Sequence, residues 1–208
     1  MMKQLFAVGL LIVGAAVASA QTNHSGANSL GTCAVTLARA PGAGGIRLGM
    51  TAEQVLSLFP GSNQDKQILS QLSSAPSRLG VASFSIRPEQ YSSKSKFARI
   101  NQISFKLING RVSTFTVGYN GPQWSNVDEF VNRFYEGSNL PKADGWEVYV
   151  GMDTQLKILK CQGFEINVFA GGEGGNLNYV MMKDTVAEQK LKELRAKARE
   201  QKLKESRP

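Results

Sequence analysis

The chain has 208 residues, 42% of them apolar and 19% charged, and a formal net charge of +8. That composition excludes a wholly disordered protein and suffices for one ordinary domain, or two small ones, with a real core. Two cysteines exclude a disulfide-dense scaffold, and a single histidine excludes most imidazole catalysis and most zinc sites.

Lys3, an apolar run from Leu5 to Val17, and Ala18-Ser19-Ala20 have the order of a secretory signal. Residues 1–20 are expected to be removed after Ala20, which leaves a mature charge of +7 once Lys3 is lost from the +8. The apolar run is too short to cross a bilayer comfortably, and no other stretch approaches a membrane span. The mature chain is therefore expected in the periplasm or outside the cell, with no transmembrane segment. Lipidation is not expected, because Cys33 follows Leu30-Gly31-Thr32 behind a polar stretch. Residues 21–32 are small and polar and read as a flexible linker. In an oxidising compartment, Cys33 and Cys161 form an even count. A bridge between them would stabilise the fold by on the order of 4–5 kcal/mol; two separate buried thiols are the alternative.

Cys33–Leu37 alternates like a short strand, and Pro41–Gly45 reads as a turn. Thr51 and Gln54 then have capping-box spacing, and Met50 and Val55 the spacing of a hydrophobic staple. Ala52, Val55, Leu56 and Phe59 follow on one helical face, ended by Pro60-Gly61. A weaker helix carries Ile68, Leu69 and Leu72. Strands are predicted from the alternation of Ala82, Phe84 and Ile86, of Ile103, Phe105 and Leu107, and of Phe115, Val117 and Tyr119. Asn109-Gly110 marks a hairpin. A three-residue loop, Ile108-Asn109-Gly110, would pair Leu107 with Arg111 and set Ile103 against Phe115, with every large apolar residue on one face. A two-residue loop would split them between faces.

The pattern then restarts. Ser125 or Asn126 is a cap candidate, and Val127, Phe130, Val131 and Phe134 repeat the helical face before Pro141. Short strands follow near Trp146–Val150, Leu156–Cys161, Phe164–Phe169 and Leu177–Met182. The expected fold is α+β: two imperfect helix-then-antiparallel-strand units, about 33–121 and 122–183, in one domain spanning 33–183. Residues 184–208 hold eight Lys/Arg and five Asp/Glu and read as a projecting charged helix with a thin stripe, Ala187, Leu191, Leu194 and Ala198.

Leu48-Gly49-Met50-Thr51-Ala52-Glu53-Gln54-Val55-Leu56, closing at Pro60-Gly61, resembles the helix start of the SmpA/OmlA-like envelope proteins. It is also similar to the repeated opening of the secreted β-lactamase-inhibitor proteins. The resemblance covers about 14 residues and implies a short helix on a small antiparallel sheet, used for binding without catalysis. The second unit has Gln123-Trp124-Ser125-Asn126 where a Gly-Met-Thr lead-in would stand, and the inhibitors' cysteine pairs within each unit are absent.

Little chemistry is legible. His24, the only histidine, falls in the linker, so no nucleophile–histidine pair is expected. Neither glycine-rich stretch, Gly42–Gly45 or Gly171–Gly175, leads into Gly-Lys-Ser/Thr, so no phosphate loop, cofactor or metal site is expected. Ser93 and Lys96 match a Ser-x-x-Lys spacing but lack the partner motifs of that chemistry and read as a basic loop. Asp128, Glu129, Asp144, Glu147 and Asp153 are the carboxylates available to a glycan- or peptide-acting enzyme. Tyr119, Trp124 and Trp146 are candidates for an exposed recognition patch, with packing in the core as the competing role. The leading expectation is an exported binding or scaffolding protein of the bacterial envelope, partnered by a protein or an anionic envelope polymer and not by nucleic acid. An enzyme using carboxylates, and assembly through the C-terminal helix, are the other readings.

Overall fold

Strands and helices alternate in the order the apolar periodicity predicts, and their register fixes which side of the sheet is apolar. The computed structural model describes residues 33–73, 79–120, 127–136, 140–142, 145–151, 154–171 and 177–205. The expected signal and linker, with His24, lie outside them, as do Trp124, Ser125, Asn126, Asp144 and Asp153. The strands are β1 (Cys33–Thr36), β2 (Val81–Ile86), β3 (Ile100–Ile108), β4 (Arg111–Asn120), β5 (Glu147–Val150), β6 (Thr154–Gln162), β7 (Phe164–Gly171) and β8 (Leu177–Asp184). The helices are α1 (Ala52–Leu56), α2 (Lys66–Ser73), α3 (Val127–Tyr135) and α4 (Thr185–Glu205). One mixed sheet runs β1-β6-β7-β8-β4-β3-β2, with β5 also paired to β6. Only β1 pairs parallel; the other pairs are antiparallel. The fold is α+β.

The capping box predicted at Thr51 is formed. Thr51 is extended, its Oγ1 accepts from the Gln54 N–H at 3.3 Å, and Gln54 Oε1 accepts from the Thr51 N–H at 2.9 Å. The helix it starts is shorter than the periodicity implies. Phe59 is fully buried from the turn that follows α1, its N–H donating to Leu56 O at 2.9 Å. The lead-in is pinned to the hairpin as well: Gly49 N–H donates to Val112 O and Val112 N–H to Met50 O, each at 2.8 Å. Thr51→Ala is expected to cost about 1 kcal/mol, read as a lower urea midpoint. An unchanged midpoint would mean that the strand pairing alone holds this segment.

The β3–β4 hairpin corrects the expected loop. Ile108 pairs with Arg111, so the loop is the two residues Asn109-Gly110, with φ of 50° and 74°. Both positive values are what a type I′ turn needs and what Asn-Gly supplies. The apolar residues nevertheless share a face, because Leu107 pairs with Val112 while Lys106 pairs with Thr114. Ser113 is the extra residue of a β-bulge, and one inserted residue restores the parity that the short loop breaks. Phe105 therefore sits opposite Phe115, their cross-strand contact extended by a Phe84–Phe105 ring stack at 4.8 Å, and Ile103 pairs with Val117 rather than Phe115.

That register gives the sheet two unlike sides. Phe84, Ile103, Phe105, Phe115, Val117, Ile166, Val168, Val180 and Met182 are buried in one cluster with Val55 of α1, Ile68 of α2 and Phe130 of α3. Leu69, predicted alongside Ile68, is 44% exposed. The opposite side carries Ser104, Lys106, Thr114, Thr116, Glu165 and Lys183, which alternate with the buried residues. At the outer edge of β2, Gln71 Oε1 of α2 accepts the Ser85 N–H at 2.9 Å, which blunts that edge.

The disulfide Cys33–Cys161 is formed, joining β1 to the end of β6. No described helix is long and apolar enough to cross a membrane. The C-terminal helix follows β8 without a break, and Asp184 Oδ1 caps it by accepting the Ala187 N–H at 2.8 Å. Of the expected stripe, Leu191 is buried, whereas Leu194 is 46% exposed.

Candidate functional site

Helices α1 to α3 cover the apolar side of the sheet, so any recognition surface built on the sheet must use the polar side. There, two neighbouring hollows form one groove. The larger, about 480 Å³, has Gln102 and Ser104 of β3, Thr116 and Gly118 of β4, and Tyr179 of β8 in its lining. Asn101, Asn120 and Asn178 line it as well, and Arg87 and Glu89 stand where the chain leaves β2. The smaller, about 260 Å³, continues past the same Arg87 and Gln102 to Gln71, Gln90, Tyr91 and Asp65.

Much of the floor is ordered by its own hydrogen bonds. Ser85 and Ser104 are cross-strand partners with their Oγ atoms 3.1 Å apart, and Gln102 Nε2 donates to Ser104 Oγ at 3.0 Å. Beside them the rings of Phe169 and Tyr179 stack across β7 and β8, 4.9 Å apart and 8° from parallel. The lining is thus mostly amide, hydroxyl and aromatic, unlike the mainly apolar lining of a typical small-molecule pocket.

Asp65, the carboxylate in the smaller hollow, has structural duties. Asp65 caps α2, accepting the N–H groups of Gln67 and Ile68 at 2.8 and 3.3 Å, and also accepts from Tyr91 Oη at 2.8 Å. The Tyr91 hydroxyl first, then the two N–H groups, hold its carboxyl below the usual range. Of the carboxylates singled out in the sequence, Asp128 pairs with the buried Lys157, which anchors α3 to β6. Glu147 accepts from Lys160 Nζ at 2.9 and 2.8 Å and from Tyr149 Oη at 3.2 Å. Among the described residues, no three His, Cys, Asp or Glu side chains form a metal-binding group. Ser93 and Lys96 sit at a 3₁₀ turn, Ser92–Ser95, with Lys96 Nζ 5.8 Å from the centre of the Phe97 ring.

The three aromatic candidates are not brought together. Trp146 is 2% exposed, its Nε1–H donating to Pro141 O at 3.1 Å, so it belongs to the core and not to an exposed patch. Tyr119 borders the groove, but its ring meets Phe130 of α3 edge-on at 5.2 Å, on the apolar side. Burial pushes its hydroxyl up to about 12. Trp124 lies outside the described residues. The sequence reading missed Arg87, Gln102, Ser104, Thr116 and Tyr179. Attention to the polar half of each alternating strand would have found four of them, since residues two apart share a face.

Comparison of the chain with family models, with curated proteins and with solved structures finds no match in any of the three.

Proposed function

We propose that the protein is an exported, non-catalytic binding module of the bacterial cell envelope, and that the groove around Arg87, Gln102, Thr116 and Tyr179 is its binding surface. The observation that carries this reading is the groove itself. It is open and lined by side chains from β3, β4 and β8, with Ser104 hydrogen-bonded to Gln102 and to Ser85 of β2, and Glu89 is the only carboxylate among the described residues of its larger part. Catalysis by two carboxylates needs a converging pair, and Asp65, Asp128 and Glu147 are each committed elsewhere. The disulfide suits an oxidising compartment, in line with the signal read at residues 1–20.

The order of the sheet supports reading the chain as two units. β2, β3 and β4 form one consecutive antiparallel run and β5 to β8 another, and the two meet where the last strand of each, β4 and β8, pair. Each run follows a helix, as in the tandem modules that Leu48–Gly61 resembles. The partner is a protein or an anionic envelope polymer. Assembly through α4 is the second reading, favoured by Leu194 and Leu203, which are 46% and 57% exposed on it.

Immobilised mature protein is expected to retain a component of envelope extract, and the variant Thr116→Trp, which fills the groove, to release it. Equal retention by both proteins would move binding away from the groove, and cleavage of the retained component would overturn the non-catalytic reading. N-terminal sequencing of the exported species is expected to begin at Gln21; a species starting at Met1 would refute export by cleavage.

A further inference from the structure

Gly118 lies inside β4, two residues before its end, with Gln102 as its partner on one side and Tyr179 on the other. Its φ is one that any L residue adopts, so its backbone gives no reason for glycine there. A strand interior usually disfavours glycine, and where one stands it often marks close approach of another group. Here a Cβ would come within 2.6 Å of Asn101 Oδ1, so the missing side chain leaves room for that amide to lie over the strand. The neighbouring ring, that of Tyr179, lines the same hollow as Gly118 and Asn101. Phe169 covers one face of Tyr179, and because β7, β8 and β4 are successive neighbours, the other face is turned toward Gly118. The result is a slot with the Tyr179 ring as a wall, a floor of Gly118 and the Asn101 amide laid over it, and the Gln102 amide at its margin.

Resting on the reading that this groove binds a ligand, we propose that the slot over Gly118 is a saccharide subsite and that the groove takes a hydroxyl-rich oligosaccharide. Three features select that chemistry. An amide offers two donors and an acceptor, which matches hydroxyls that both donate and accept. The electron-rich face of a tyrosine ring attracts the weakly positive C–H groups on the flat side of a pyranose. The groove is floored by side chains and not by an unpaired strand edge, so it offers no backbone ladder to an extended peptide. The second hollow, which shares Arg87 and Gln102 with the first and reaches Gln71, gives room for several linked rings rather than one.

The test follows backbone amide shifts of the ¹⁵N-labelled mature protein by NMR during titration with chitotetraose, cellotetraose, tetragalacturonate and an uncharged Ala–Ser tetrapeptide. At least one saccharide is expected to shift the amides of Gln102, Gly118 and Tyr179. Gly118→Val and Tyr179→Ala should each weaken that binding at least tenfold. Gly118→Val keeps an extended residue in a strand and has only the end of the Asn101 side chain to displace, so the protein is expected to stay folded with a melting temperature close to that of the wild type. The proposal is overturned if no saccharide shifts these amides, or if folded Gly118→Val binds as the wild type does. It is also overturned if only the acidic tetrasaccharide binds and salt abolishes it, since charge rather than the slot would then be the cause. Shifts with the tetrapeptide alone would reject the saccharide while leaving the groove as a binding surface; failure of the groove itself is read separately, from the Thr116→Trp retention experiment.

Discussion

Cys161→Ser is expected to lower the stability of the oxidised protein by about 3–5 kcal/mol. The bridge spans 128 residues, so most of the described chain lies inside the loop it closes. A loop that long removes much of the freedom of the unfolded chain, and the entropic account places its effect near 5 kcal/mol. The native side points the same way. β1 is only four residues long, sits at an edge, and meets β6 at just two registered pairs, Cys33 with Cys161 and Thr36 with Gln162. Without the bridge, that strand has little to hold it, although Cys33 is 5% exposed and part of the core. Urea unfolding should show a lower midpoint for Cys161→Ser, and the double variant Cys33→Ser/Cys161→Ser should match reduced wild type. Thiol labelling of denatured, unreduced protein should find no free cysteine. Two labelled thiols per chain would remove the basis for the whole effect.

What was legible in the sequence was the part governed by short-range periodicity. The capping box at Thr51 and Gln54, the alternation in β2, β3 and β4, and the even cysteine count each depend on residues whose types carry the signal directly. The hairpin loop was misjudged for a physical reason: parity fixes only the combined length of loop and bulge. Moving one residue from the loop to Ser113 leaves every apolar side chain where it was, so the pattern cannot tell the two apart. Trp146 was open to both roles because an indole has an apolar body and one donor, and only the Pro141 carbonyl beside it decides that it is buried. The groove was hidden for a different reason. It is assembled from residues far apart in the chain, such as Arg87, Thr116 and Tyr179, each unremarked alone, and the order β8-β4-β3-β2 that unites them is a tertiary fact.

The C-terminal helix divides into a part that belongs to the fold and a part that does not, and the division is testable residue by residue. Leu191 is 1% exposed yet stands apart from the main apolar cluster. Beside it, Glu188 reaches Lys106 Nζ at 2.6 Å, with Ser113 Oγ at 3.1 Å and Thr114 Oγ1 at 3.3 Å. Lys106 and Thr114 point to the polar side of the sheet, so the first turns of α4 are docked on that side, at the hairpin end and away from Gly118. The bulge residue Ser113 thus serves both register and docking. Leu191→Ala is expected to cost about 2–4 kcal/mol, whereas deletion of Glu193–Pro208, which spares both Leu191 and Glu188, should leave the melting temperature nearly unchanged. Burial alone would raise the carboxyl of Glu188, but Lys106 first, then Ser113 and Thr114, outweigh it and hold it below its ordinary value. A depressed carboxyl stabilises the folded state above its unfolded pKa and loses that contribution as pH falls through its folded one. Hydrogen exchange in the first turns of α4 should therefore lose protection as the pH falls through and below the ordinary carboxylate range, and Glu188→Gln should remove that dependence. A Leu191→Ala protein as stable as wild type would mean that the helix is not seated on the sheet. A truncated protein that unfolds would mean that its distal half packs as well.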